Sequence, residues 1–194
     1  MIIPALHPRQ FYYVRHGQTD WNLIRKLQGS SDVALNQTGL EQAQEARDKL
    51  AEVSIGAIFC SPLMRARKTA DIINEALDCP IIELEGLREW HFGSSEGSEY
   101  FPWLRELFNG NTSNVPEDVE PMNEFLERSA AGINYALRHA LSQENPALIV
   151  AHGGTYMCAN KSLPQSQQMS LQNCQPVRHD PPGEAGGNWN KTII

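Results

Sequence analysis

Two stretches of the chain share one form: "YYVRHG" (12–17) and "IVAHGG" (149–154) each run an apolar segment straight into a histidine and a glycine. A third, "SPLMRA" (61–66), sets Arg65 one turn into a helical pattern that follows the apolar run "AIFC" (57–60). Two imidazoles, His16 and His152, and two guanidiniums, Arg15 and Arg65, suit a phosphate group. Arginine forks onto phosphate oxygens and stays charged at any working pH. At an effective dielectric of about 20, one unit charge pair 4 Å apart is worth about 4 kcal/mol before desolvation. Histidine attacks through an unprotonated nitrogen when its other nitrogen is pinned by a hydrogen bond, and nearby arginines disfavour the imidazolium. A leaving alkoxide then needs a proton. "LREWHFGSSEG" (87–97) offers Glu89, His91 and Glu96 in a glycine-punctuated loop for that step.

One strand-end histidine alone more often packs, caps or faces solvent, so the argument rests on the joint pattern and on the elements that must assemble it. "FYYV" (11–14) reads as a buried strand whose exit turn uses the backbone freedom of Gly17. "TGLEQAQEARDKLA" (38–51) reads as an amphipathic helix with Thr38 as N-cap, Glu41 completing a capping box, and Leu40, Ala43, Ala46 and Leu50 on its apolar face. After the strand 57–60, Ser61 as cap and Pro62 at the first helical position open the next helix. "PIIEL" (80–84) is a further strand, 124–143 a long helix, and 147–151 another strand. "LQNCQPV" (171–177) and "NWNKTII" (188–194) read as final strands joined by a Pro- and Gly-rich connection. Alternation of strand and helix predicts an α/β fold, with a mainly parallel central sheet covered on both faces. Ligands in such sheets gather beyond the carboxyl ends of the strands, where Arg15, His16, Ser61, Arg65 and His152 all fall.

Composition bounds the partners. With 194 residues, 41% hydrophobic and 20% charged, the chain reads as one globular domain spanning 1–194, in which 109–121 forms a long surface loop. A net charge of −7 argues against a nucleic-acid footprint, so an anionic substrate must be held by a local positive cluster. No apolar run of membrane-spanning length and no basic leader are found, which predicts a cytoplasmic protein without a membrane partner. Cys60, Cys79, Cys158 and Cys174 are widely spaced and read as reduced thiols, with Cys60 and Cys158 buried. HExxH, EF-hand, GxxxxGK[ST] and GxGxxG motifs are missing, so neither metal nor cofactor is expected.

"RHGQTDWN", "LQGSSDVALNQTG", "SPLMRARKTA", "LREWHFGSSEG" and "VAHGG", in that order between residues 11 and 155, together resemble the histidine phosphatase superfamily, the phosphoglycerate mutase-like group. The resemblance implies a three-layer α/β/α sandwich and a metal-independent phosphatase. It makes His16 the nucleophile that becomes phosphohistidine, with Arg15 and Arg65 on the phosphate oxygens and His152 as second phosphate-binding histidine. Glu89 becomes the proton donor that later activates water. Asn22, Gln28, Gly29, Gly153 and Asn173 match positions that contact phosphate or substrate. The expected substrate is a small phosphorylated metabolite and the expected product inorganic phosphate. Two other readings stand beside hydrolysis. One is a mutase using the same pocket, which the short stretch between Glu89 and His152 disfavours; the other is a non-catalytic phosphate-ligand module.

The remaining candidates have structural readings. Arg67 and Lys68 read as solvated charges, Glu96 as an acceptor for backbone donors in its turn, and His91 as either a rim contact or a solvent-facing residue. His7, His139 and His179, in a terminal segment, the long helix and a Pro-rich loop, read as non-catalytic. Phe101, Trp103, Leu104 and Phe108 either wall a pocket or form a helical core face.

Overall fold

A computed structural model describes residues 4–99, 101–108, 111–140, 145–163, 169–184 and 187–194. In chain order the elements are β1 (Phe11–Arg15), α1 (Asp20–Leu23), α2 (Gln37–Leu50), β2 (Ala57–Cys60), α3 (Met64–Leu77), β3 (Ile81–Glu83), α4 (Pro102–Phe108), α5 (Met122–His139), β4 (Ala147–Ala151), α6 (Gly153–Ser162), β5 (Val177–Asp180) and β6 (Asn190–Ile193). Two 3₁₀ turns, Glu85–Leu87 and Gly93–Ser95, lie between β3 and α4.

The sheet runs β3-β2-β4-β1-β5-β6. β1, β4, β2 and β3 pair in parallel; β5 lies antiparallel to β1, and β6 to β5. β2 and β4 are apolar and buried at every position, as parallel strands covered on both faces must be. Alternate residues of β1 serve opposite faces. Phe11 and Tyr13 join Ile133, Leu137 and Tyr156 from α5 and α6, while Tyr12 and Val14 join Ala43, Leu50 and Ile73 from α2 and α3. The fold is thus the expected α/β/α sandwich on a mainly parallel sheet. A third apolar cluster sits beside the sheet, where Trp90, Phe92 and Trp103 pack on Phe125 and Leu126 of α5.

Several local expectations are corrected. α2 is capped by Asn36, whose side chain accepts from the Gly39 amide at 2.9 Å, and Thr38 lies inside the helix. Asn also ranks with the best N-caps, so the two readings differ by a choice between polar residues two positions apart. α3 begins at Met64 rather than Pro62, and its Met64 amide is capped across the chain by Asp32 at 2.7 Å. Residues 171–176 form a turn rather than a strand, and β5 starts at Val177. His179 therefore lies in a strand, not a loop. The long helix ends at His139, and the expected residues 141–143 fall outside the described ones. Gly17 is needed for room and not for φ: a β-carbon there would stand 2.4 Å from the carbonyl oxygen of Gly39. Cys60 and Cys158 are buried free thiols, pushed up to about 12 and about 11 by burial.

Candidate active site

Strand register brings the distant motifs together. Arg15 pairs with Ala151 and Cys60 with Val150, so His16, His152 and Ser61 each come one residue past the end of adjacent parallel strands. The ladders continue into the exits: the His16 amide donates to Ala151 at 2.9 Å, and the Ser61 amide to Val150 at 3.0 Å. The rings of His16 and His152 lie 5.2 Å apart.

His16 is nearly fully buried, with Nδ1 2.7 Å from the carbonyl oxygen of Gly17. A carbonyl only accepts, so Nδ1 carries the proton and Nε2 keeps its lone pair. Burial, then the charges of Arg65 and Arg15, hold its pKa well below 6.5, which keeps the ring neutral. Asn173 fixes the backbone behind it, donating from Nδ2 to the His16 carbonyl at 2.7 Å.

His152 is fully buried, with Nε2 2.7 Å from Ser61 Oγ. Ser61 Oγ accepts from the Leu63 amide at 3.3 Å and still has one proton to give; with that proton donated to His152 Nε2, the histidine's own proton sits on Nδ1. Burial, then Arg65, depress the pKa of His152 as well. Its Nδ1 has no partner. Arg15 Nε and Arg65 Nε are likewise buried without partners, so three orphaned donors stand around His16. Leaving such a group unsatisfied costs about 1–3 kcal/mol, and a tetrahedral oxyanion would satisfy all three.

Arg65 reaches this position because its two terminal nitrogens are tied to backbone. Nη1 donates to Ser31 O and Nη2 to Gly29 O, both at 2.7 Å. Gly29 has a φ of +56°, and a β-carbon there would stand 2.3 Å from Glu96 Oε1, so only glycine presents this carbonyl. Burial pulls the Arg65 pKa down to about 10, still charged at neutral pH. A cavity of about 200 Å³ is lined by Arg15, His16, Asn22, Gln28, Arg65 and Glu89 among others. Asn22 closes a capping box with Thr19, whose hydroxyl also donates to Gln28 Oε1 at 3.0 Å.

Glu89 comes from the loop after β3 and is clamped at the same place. Its Oε1 accepts from the Trp90 amide and its Oε2 from the Gly154 amide in the first turn of α6, both at 2.9 Å. A β-carbon on Gly154 would stand 2.1 Å from Glu89 Oε1, so glycine is required for that approach. Arg128 of α5 holds the loop from behind, donating to the carbonyls of Arg88 at 2.8 Å and Glu89 at 3.0 Å while pairing with Glu120. Glu96 accepts from the amides of Ser30 and Phe92 and from the hydroxyls of Ser30 and Ser31. It knits the loop of Gly29 to the loop of Glu89. Those bonds outweigh its partial burial and keep its pKa below the usual carboxylate value.

Residues 11–180 match the histidine phosphatase superfamily (branch 1). The chain belongs to that superfamily. An uncharacterized phosphatase, PhoE, of Bacillus subtilis is 39% identical over 72% of this chain and 69% of its own length. A probable phosphoglycerate mutase, GpmB, of Shigella boydii is 35% identical over 88% of this chain and 84% of the relative. Among solved structures, a mycobacterial glucosyl-3-phosphoglycerate phosphatase in complex with VO3 superposes with a TM-score of 0.79, at 23% identity, covering 95% of this chain and 98% of the other.

In this superfamily member the expected residues Arg15, His16, Arg65, Glu89, Asn22, Gln28 and Gly29 share one cavity, with His152 beside His16. Gly153 lines an adjoining cavity with Arg15, and Asn173 turns to the His16 backbone. Arg65 pairs with neither Asp71 nor Glu89; Asp71 bonds Arg67 at 2.9 Å. Ser61 and Arg128 were not among the sequence-derived site residues. Ser61 was read as a helix cap, although its place after a strand, like that of His16, already marked it. Nothing local marks Arg128, whose bonds to the loop carbonyls of Arg88 and Glu89 reach about forty residues along the chain. Both readings of the aromatic group hold in part, since Trp103 is core while Phe101 borders the cavity. Among the described residues no group of three or more His, Cys, Asp and Glu could hold a metal ion, and no helix is long and apolar enough to cross a membrane.

Proposed function

We propose that the protein hydrolyses small phosphomonoesters in the cytoplasm through a phosphohistidine on His16, without a metal. His16 Nε2 attacks phosphorus as the ester P–O bond breaks, and Arg15, Arg65 and His152 hold the non-bridging oxygens. Glu89 gives its proton to the departing alkoxide. A water then attacks the phosphohistidine, Glu89 takes that water's proton, and inorganic phosphate leaves. Phosphoryl transfer asks a protein mainly to position groups and stabilise charge, which suits a buried, preset cradle. Asn22, Gln28, Gly29 and the helix start at Gly153 complete the surroundings of the phosphate, and Asn173 keeps the nucleophile in place. Four free cysteines agree with a reducing compartment.

The observation that carries this reading is the set of three buried, unpartnered donors around a histidine whose Nδ1 proton is fixed on Gly17. A mutase is the second reading, favoured by the name of the GpmB relatives. It differs only in whether water or a second hydroxyl receives the phosphoryl group. Rapid-quench single turnover with a ³²P-labelled ester tests both. We expect an acid-labile, base-stable label on the wild-type protein that His16→Ala lacks, and release of label as inorganic phosphate. Label passing to a second hydroxyl instead would establish the mutase, and undiminished turnover by His16→Ala would exclude the mechanism.

A further inference from the structure

At the mouth of the cavity α1 closes in a Schellman turn: the Lys26 amide donates to Trp21 O at 2.8 Å and the Arg25 amide to Asn22 O at 3.2 Å. The left-handed position of such a turn ordinarily takes glycine, because a β-carbon is crowded there. Here it is Arg25, at φ 59°. Its side chain borders the cavity that holds Arg15, His16 and Arg65. Among the described residues Arg25 joins no ion pair, whereas its neighbour Lys26 stands 3.8 Å from Glu99. A disfavoured backbone state at a functional site points to a use for the side chain that occupies it.

We propose that Arg25 reads a second anionic group of the substrate, a carboxylate or a second phosphate, close to the ester that His16 attacks. The proposal rests on the phosphatase reading and adds the substrate class. The three orphaned donors of the cradle are taken by the transferring phosphoryl group, so a further anion must be met elsewhere. On a chain of net charge −7 an exposed cation without an acidic partner at the cavity mouth is the group able to meet it. Leu27, Phe92 and Phe101 form an apolar wall nearby, which offers no competing polar contact to the body of the substrate. The guanidinium is exposed, so its contribution is modest and falls as salt rises.

A matched pair tests this. 3-Phosphoglycerate and glycerol 3-phosphate differ by a carboxylate against a hydroxymethyl group, and propane-1,3-diol bisphosphate supplies the second-phosphate arm. Wild type should favour one of the two probes that carry a second anionic group over glycerol 3-phosphate in kcat/KM. Arg25→Gly should cut that preference about twofold to fivefold, a range matching an exposed ion pair. Arg25→Lys should keep part of it, and 0.5 M salt should erode it in wild type. Arg25→Gly should also melt at a higher temperature, since glycine fits the turn, so loss of preference cannot be charged to unfolding. Equal losses on all three probes, or an unchanged preference in Arg25→Gly, would overturn the proposal. Calorimetric binding of the same probes to wild type and Arg25→Gly judges Arg25 independently of turnover. A protein that binds with the predicted preference and hydrolyses none of them fails the phosphatase reading alone.

Discussion

Around His16 the polar groups are buried and tightly anchored: His152 is 0%, Arg65 1% and His16 3% exposed, with the Gly17 carbonyl on His16, the Gly29 and Ser31 carbonyls on Arg65, and the buried Ser61 hydroxyl on His152. At the mouth of this cavity, and in the neighbouring cavity that shares Glu89 with it, the anchors are side chains on loops. In the neighbouring cavity His91 is about half exposed and leans on Ser30 Oγ at 2.6 Å and Glu96 at 3.2 Å; at the mouth Arg25 is exposed and joins no ion pair among the described residues. Groups that lost their water on folding need no reorganisation when charge develops, which is where electrostatic stabilisation is strongest. Exposed groups keep competing with solvent and contribute little each. The difference separates rate from choice: damage to the cradle should lower turnover of every ester, and damage to the mouth should change the ratio between esters.

The comparison breaks most visibly at Arg65. Arg65→Met should lower kcat/KM by about 10³ on all small phosphoesters alike, the size expected for a preset donor aimed at transferring oxygens. It should also abolish stabilisation by sulfate, read as a thermal shift with and without the anion. Sulfate stabilisation of wild-type size in the variant would remove Arg65 from the anion site.

Glu89 belongs to both regions, because its loop comes from the rim while its carboxylate is bound to Gly154 in the cradle. Arg128→Gln tests which side governs it. Losing the bonds to the Arg88 and Glu89 carbonyls should cut kcat roughly tenfold to a hundredfold, since an ångström of misplacement can cost a factor of about 10². KM should stay within about twofold, because Arg128 lies behind the loop. A rise in KM at constant kcat would instead make Arg128 part of the substrate-binding surface.

What the sequence disclosed follows the same division. His16, His152, Arg15 and Arg65 were legible because apolar strands ending in such residues are local patterns, and parallel pairing forces strand ends together. The layer order was legible from alternation of strand and helix. Ser61 was placed at the strand ends with His152 but given the role of a helix cap, because a serine before a proline resembles one; the β2–β4 register makes His152 its partner. Asn36 lost to Thr38 for want of any local signal that separates two capping residues two positions apart. Arg128 and Asp32 act across the fold on backbone groups, and no periodicity reports that. His179 was placed in a loop because Pro181 and Pro182 follow it, yet pairing with Phe11 extends the strand to Asp180.

That misplaced histidine gives the finest test of the comparison. His16, His152 and His179 are all buried, and burial is the first cause that lowers each pKa below 6.5, that of His179 to about 3. In the unfolded chain each would take a proton near pH 6.5, so between there and its folded value the unfolded state binds more protons. Stability must therefore fall as pH falls below 6.5, by about 1.4 kcal/mol per pH unit for each histidine once well below it. Sulfate remains a dianion through this range. Bound beside His16 and His152 it favours their charged forms and lifts their share of the penalty. His179 is stacked on Phe11 at 4.3 Å with Nε2 near Tyr156, away from the anion, and should keep its own. Denaturant unfolding from pH 6.5 to 5, above the range of the carboxylates, should thus show a slope that saturating sulfate reduces to about one third, and that His179→Phe then removes. A slope indifferent to sulfate would mean that the two strand-end histidines do not face the anion at all.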